Sequence, residues 1–209
     1  MPRRVSLLAA FTFLIALLSI APRPADAQPS GDCALIDVTV SAAISNDPGF
    51  IGYYKYTVSG TWDVTRLGLS HLDIFIEMQE CVCKCDGSLF KFPAPAGTSN
   101  GLSPSGGLCL VQYEGEYLCR QDPSIPDEFA SPTVKFDAFG PCEPMTVGSG
   151  TWYFYSLFPP SPFSVYPDAV AIKHGGGTCT GDLRGTLPVC DCSVPAESRT
   201  WGQMKVLYR

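Results

Sequence analysis

Leu72-Asp73-Ile74-Phe75-Ile76-Glu77-Met78 is the stretch on which the fold turns. Leu72, Ile74, Ile76 and Met78 recur at every second position, with Asp73 and Glu77 between them. A period of two is the signature of a strand with one face on a core and the other toward water, the usual state of an antiparallel sheet. The same alternation recurs upstream, where Ala34, Ile36, Val38 and Val40 interleave with Leu35, Asp37, Thr39 and Ser41. Tyr53 to Val64 is aromatic and β-branched, with Tyr54, Tyr56 and Val58 on one side and a bend or bulge expected at Gly60.

Downstream, Thr133 to Phe136, Gly150 to Phe158, Ala169 to Lys173 and Leu183 to Val189 read as further short strands punctuated by Pro and Gly. No long helical period separates them. The expected fold is therefore all-β, a disulfide-rich antiparallel β-sandwich of immunoglobulin-like or jelly-roll-like type. Two hairpins fit the pattern. Asp86-Gly87 would join Glu80–Cys85 to Ser88–Phe92 through a tight turn. A three-residue loop at Tyr113, Glu114 and Gly115 would join Gly107–Gln112 to Glu116–Gln121 and set Cys109 opposite Cys119, whereas a two-residue loop would set Leu110 opposite Cys119. Ala94 to Gly107, rich in Pro, Gly and Ser, reads as an exposed loop within a single domain.

The chain's start sets the compartment. Arg3 and Arg4 precede an apolar run from Val5 to Ile20, and Ala25-Asp26-Ala27 is a small-x-small cleavage site, so residues 1–27 read as a secretory signal peptide. As a helix the run reaches about 24 Å, short of a hydrocarbon core of about 30 Å. The mature chain would begin at Gln28, with a β domain over 28–192, a polar linker over 193–199 and a short helical tail over 200–209. In that tail Thr200 and Gln203 form a capping box, and Trp201, Met204, Leu207 and Tyr208 share a face. Contact with the membrane is expected only transiently, through the signal peptide.

The chain has 14 basic and 20 acidic residues, and the signal peptide holds three of the basic ones and one acidic. An acidic mature protein is a poor partner for nucleic acid or an anionic membrane, both of which reward clustered Lys and Arg. Neither Asn46 nor Asn100 lies in an N-glycosylation sequon. All ten cysteines follow the signal peptide: Cys33, Cys81, Cys83, Cys85, Cys109, Cys119, Cys142, Cys179, Cys190 and Cys192. An even number in an oxidising compartment points to disulfides, with the pairing left open. Cys81, Cys83 and Cys85 alternate along one strand face, and a thiolate metal cluster is the alternative reading of that trio.

Groups with catalytic potential are scarce. Gly97-Thr98-Ser99-Asn100-Gly101 matches Gly-x-Ser-x-Gly but lacks the flanking strand and helix of a nucleophile elbow. The two histidines, His71 and His174, lie in no motif, and His71 reads as a structural residue at the start of a strand. Asp127 and Glu128 are adjacent on a loop and do not by themselves flank a glycosidic bond. No catalytic, cofactor-binding or metal-ligating residue is assigned, no cofactor is expected, and the reading favours a binding protein over an enzyme. Tyr53, Tyr54, Trp62, Tyr113, Tyr117, Trp152, Tyr153 and Tyr155 offer aromatic faces, either as core or for contact with a carbohydrate or a surface protein.

Tyr54 to Val58, Leu69-Ser70-His71, Cys81, Gly148-Ser149-Gly150-Thr151-Trp152, Pro159-Pro160, Ala171-Ile172-Lys173 and Leu187-Pro188-Val189-Cys190 together resemble the secreted β-sandwich domains of uncharacterised bacterial surface proteins. The ending Trp201-Gly202-Gln203-Met204-Lys205-Val206-Leu207-Tyr208-Arg209 is similar to a Trp-Gly-x-x-Lys-x-x-Tyr-Arg tail on exported proteins of environmental bacteria. The resemblance implies export, and sorting through the tail, and carries no catalytic residue. The expected function is thus a secreted or cell-surface interaction or structural module. A hydrolase acting on polysaccharide or ester is the first alternative and a thiolate metal-binding protein the second.

Overall fold

A computed structural model describes residues 33–64, 68–76, 87–119, 122–125, 132–175 and 177–189. The strands are β1 (Cys33–Ile44), β2 (Tyr54–Val64), β3 (Leu69–Phe75), β4 (Phe90–Lys91), β5 (Gly97–Leu102), β6 (Leu108–Leu118), β7 (Thr133–Phe139), β8 (Glu143–Pro144), β9 (Val147–Ser156), β10 (Pro160–His174) and β11 (Gly177–Pro188). Their pairing runs β9-β2-β1-β11-β10-β3-β7-β6-β5, and β5 pairs back to β9. The fold is therefore a closed nine-strand barrel, with β4 and β8 as short additions at its rim, and not the expected sandwich.

The correction has a specific physical source. Barrels and sandwiches share the same short alternating strands, so period alone does not separate them. Closure depends on β5, which lies in the segment expected to be a loop and pairs Gly97 with Trp152 and Ser99 with Gly150. Its inward residues are Gly97, Ser99 and Gly101, all buried and none of them apolar in the ordinary strand sense. The space they leave is filled by others. Trp152 packs against Gly60, Gly97 and Gly150, Trp62 packs against Gly148, and a Cβ at Gly97 would overlap the Trp152 ring. Ser99 Oγ meets Tyr113 Oη at 2.9 Å inside the barrel. The Gly-x-Ser-x-Gly match is thus the middle of a wall strand, with its serine 3% exposed.

Ring parity fixes another feature. A closed ring with an odd number of strands cannot be antiparallel throughout. The one parallel pair among the nine barrel neighbours joins β1 to β11, from Asp37↔Asp182 to Val40↔Gly185. Gly185 has φ of +113°, and a Cβ there would strike the Val40 backbone, so the seam needs glycine at that position.

The interior is a packed core rather than a channel. Val38, Val40, Tyr56, Val58, Leu72, Ile74, Val111, Tyr113, Val134, Phe136, Phe154, Val170, Ile172 and Leu183 join the two indoles there. Of the eight aromatic residues offered as binding faces, Trp62, Tyr113, Trp152 and Tyr155 are buried. Two of the core's polar groups reach backbone carbonyls, Tyr56 Oη donating to Phe158 at 2.9 Å and Trp62 Nε1 to Met145 at 2.9 Å, while Trp152 Nε1 has no partner among the described residues.

The expected hairpin at Tyr113-Glu114-Gly115 is revised. Tyr113, Glu114 and Gly115 lie in mid-strand, because β6 runs unbroken between β5 and β7. Phe92 packs over Gly115. Cys109 accordingly bonds Cys142 rather than Cys119, with Cα atoms 6.1 Å apart. Cys119 and Cys179 each also take part in a disulfide. Gly87–Leu89 is a short 3-10 helix leading into β4, which pairs with β9, and the arm expected over residues 80–85 lies outside the described residues. So do the expected signal peptide over 1–27, the Cys81, Cys83 and Cys85 trio, Cys190, Cys192, and the linker and helix expected over 193–209.

Two predictions follow from the packing. Gly97→Ala forces a methyl group into the Trp152 ring and is expected to destabilise the protein by about 1–3 kcal/mol, read as a lower urea midpoint. In the turn before β2, Asp47 accepts from Lys55 Nζ at 2.8 Å and from Tyr155 Oη at 2.6 Å. The bond from Lys55, then that from Tyr155, holds its carboxyl below 3.8. A carboxyl lowered on folding stabilises above its unfolded value, and that contribution is lost as pH falls through its folded one. An NMR titration of Asp47 should therefore give a midpoint under 3.8, which Lys55→Met moves upward.

Candidate functional site

Two polar regions occupy opposite faces of the barrel. The first follows from the glycine-lined wall. Because Gly60, Gly148, Gly150 and Gly97 point inward, Ser59, Thr61, Ser149, Thr151 and Thr98 beside them point out, and these are all small. Strand register aligns them in rows. Thr39 pairs with Ser59, Ser59 with Thr151, and Thr151 with Thr98, giving one row of hydroxyls across β1, β2, β9 and β5. Asp37, Thr61 and Ser149 form a second row, continued by Asn100, whose Oδ1 accepts from Ser149 N at 2.7 Å. Neighbouring hydroxyls in a row stand about 4.8 Å apart, the strand spacing. The rows floor an open groove of about 530 Å³ with Leu110 at its edge. Asp37 pairs with Arg184, and no Lys or Arg lines the groove among the described residues.

The second region lies on the outer wall of β3, β7 and β10. His71 and Asp73 alternate on β3, Lys135 and Asp137 on β7, and Lys173 extends from β10; register sets Asp73 beside Lys135 and His71 beside both Asp137 and Lys173. Asp73 was expected to meet water. It is instead fully buried, because Asp122, Ser124 and Ile125 fold over this wall and Ile125 packs against Phe75 and Ala171. The segment is pinned by Ser124 N donating to Asp122 Oδ1 at 2.8 Å and Lys173 Nζ donating to the Ser124 carbonyl at 2.9 Å.

Lys135 is the positive centre of the network. Its Nζ lies 2.9 Å from Asp122, 3.1 Å from Asp137 and 3.8 Å from Glu116. Burial opposes its charge, and the bonds to Asp122 and Asp137 outweigh burial and raise its pKa. Burial likewise works against the Asp122 carboxylate, but hydrogen bonds from Ser124 and Lys135 hold it at about 2. Asp73 goes the other way: burial, then the Asp122 charge, pushes it up to about 8. His71 is held down to about 4, first by burial and then by Lys135. Its Nε2 lies 3.4 Å from Asp73 Oδ2, so between those values the pair carries one proton.

Ser124 Oγ lies 3.1 Å from His71 Nε2, and His71 Nδ1 lies 3.5 Å from Asp137 Oδ1. These are the contacts of a Ser-His-Asp nucleophile, but the surroundings are not those of an acyl-transfer site. An oxyanion hole draws on backbone N–H groups beside the nucleophile. Here the Ser124 N–H is held by Asp122 Oδ1 and the Ile125 N–H by the Asp122 carbonyl.

Of the groups weighed from sequence, His71 thus sits in a charged cluster rather than alone. Asp127 and Glu128 lie outside the described residues. Asp122, Ser124, Lys135, Asp137 and Lys173 drew no attention as a group. Their one signal was the spacing His71-x-Asp73 and Lys135-x-Asp137, which puts opposite charges on one face of strands whose other face is apolar. Comparison of the chain with protein-family models, with curated proteins and with solved structures found no match.

Lys135→Met removes the cation that balances Asp122, whose side chain is 2% exposed. Breaking a buried pair from one side is expected to destabilise the protein by about 3–5 kcal/mol, measured by chemical denaturation at neutral pH.

Proposed function

We propose that this protein is an exported, non-enzymatic interaction module whose outer barrel face binds a neutral polysaccharide. The observation that carries this reading is the double row of hydroxyl and amide groups flooring the groove across β1, β2, β9 and β5. Its donors and acceptors repeat on the scale of a sugar ring, and its side chains are short, so little rotamer freedom is lost on binding. Leu110 at the rim supplies an apolar contact for the carbon face of a ring. The absence of Lys and Arg from the described lining favours a neutral chain over an anionic one. Export is supported by the signal-peptide pattern of residues 1–27 and by the Cys109–Cys142 disulfide, which suits an oxidising compartment.

The test replaces the first row with isosteric or β-branched apolar residues, Thr39→Val, Ser59→Val, Thr98→Val and Thr151→Val, which keep strand propensity and remove hydroxyls. Affinity electrophoresis against a panel of soluble polysaccharides should show at least a tenfold loss of binding with an unchanged melting temperature, as expected for four hydrogen bonds of about 0.5–1.5 kcal/mol each. Failure of the native protein to be retarded by any of them, or retardation untouched by the four substitutions, would sink the proposal. Release of reducing ends from a bound chain would turn the reading toward a hydrolase.

A further inference from the structure

His71, Asp73 and Asp122 meet beneath the surface on the wall opposite the groove. Their side chains are 8%, 0% and 2% exposed, and one nitrogen or oxygen from each lies within 4.8 Å of the others. His71 Nε2 is 3.4 Å from Asp73 Oδ2 and 4.0 Å from Asp122 Oδ2. Bonds of about 2.0–2.2 Å to a tetrahedral ion set neighbouring ligand atoms roughly 3.3–3.6 Å apart. The first separation fits directly, and the second needs an inward shift of about half an ångström.

Asp73 points to a ligand. Neither of its oxygens has a hydrogen-bond donor among the described residues. The nearby cations are committed elsewhere, Lys135 to Asp122 and Asp137 and Lys173 to the Ser124 carbonyl. A buried carboxyl without a donor needs a proton or a cation against it. The histidine is set up for the cation. In the tautomer protonated at Nδ1, on the side of Asp137 Oδ1 at 3.5 Å, the Nε2 lone pair faces Asp73 and Asp122. An imidazole held from behind by a carboxylate is the usual support of a metal-ligating histidine. Ser124 Oγ, 3.1 Å from Nε2, adds an oxygen on the remaining side. Two carboxylates, less the Lys135 ammonium that shares Asp122, leave one net negative charge toward a cation, and a mixed nitrogen and oxygen set suits a zinc-type ion.

We propose that His71, Asp73 and Asp122 form a closed structural site for a divalent transition cation, which fastens the 122–125 segment to the wall of β3. Full burial of all three ligands separates it from a catalytic metal, which keeps a position open to substrate.

The test uses the full, untagged chain with its disulfides intact. After stripping with EDTA, calorimetric titration with zinc chloride should give one ion per chain and a higher melting temperature. Asp73→Asn and Asp122→Asn should each weaken binding at least tenfold and remove the thermal gain. Asp137→Asn, at a half-exposed position, should weaken binding about 10–100-fold through the histidine's orientation. In EDTA the sign reverses for Asp73→Asn, which should melt at or above the native protein because an amide replaces a buried acid. Zinc binding that survives all three substitutions overturns the proposal. So does a native protein that binds neither zinc nor manganese, in which case the histidine and aspartate hold only a shared proton.

Discussion

The fit of the Trp152 indole against the backbones of Gly60, Gly97 and Gly150 is the contact on which the rest of the structure depends. A side chain at Gly97 or Gly150 would overlap the ring, and one at Gly60 would crowd it. Glycine therefore lets three strands lie close around one large ring, and the ring in turn replaces the side chains they lack. Trp62 repeats the arrangement against Gly148. The outer surface inherits the result, since the residues between the glycines are the threonines and serines of the groove. Core and candidate binding face are two sides of one stretch of sequence.

The opposite wall is built on another principle. There the inward positions of β3, β7 and β10 carry aliphatic and aromatic residues, among them Leu72, Ile74, Val134, Phe136, Val170 and Ile172. The outward positions carry the charges. Such a wall would be an ordinary solvated surface if the segment at Asp122 did not cover it. Covering it removes water from charges of both signs, which strengthens each interaction and makes each unpaired atom costly. Ile125 supplies the apolar gain that holds the cover in place, against Phe75 and Ala171.

What was legible in the sequence was the strand character of the segments with ordinary alternation. Tyr53 to Val64 falls on β2, and the alternating stretch at Leu72 falls on β3. What was hidden depended on contacts between distant segments. Gly97 to Leu102 carries no strand signal of its own, because its inward volume belongs to Trp152 and Tyr113, and without that strand the ring does not close. Tyr113-Glu114-Gly115 looks like a turn, yet Gly115 is small because Phe92 lies over it. In both cases glycine marked a close approach rather than a change of direction. The charged cluster was half visible: the alternation of His71 with Asp73 gave their shared face, but only the fold of the 122–125 segment decides that this face is buried.

The parallel seam between β1 and β11 governs how the barrel can be joined to anything else. Because these strands run side by side in the same direction, the polypeptide enters β1 at one mouth of the barrel and leaves β11 at the other. Most compact domains bring their ends close together. Here strands of 12 residues separate the start of β1 from the end of β11, a height of roughly 30 Å once the tilt of barrel strands is allowed for.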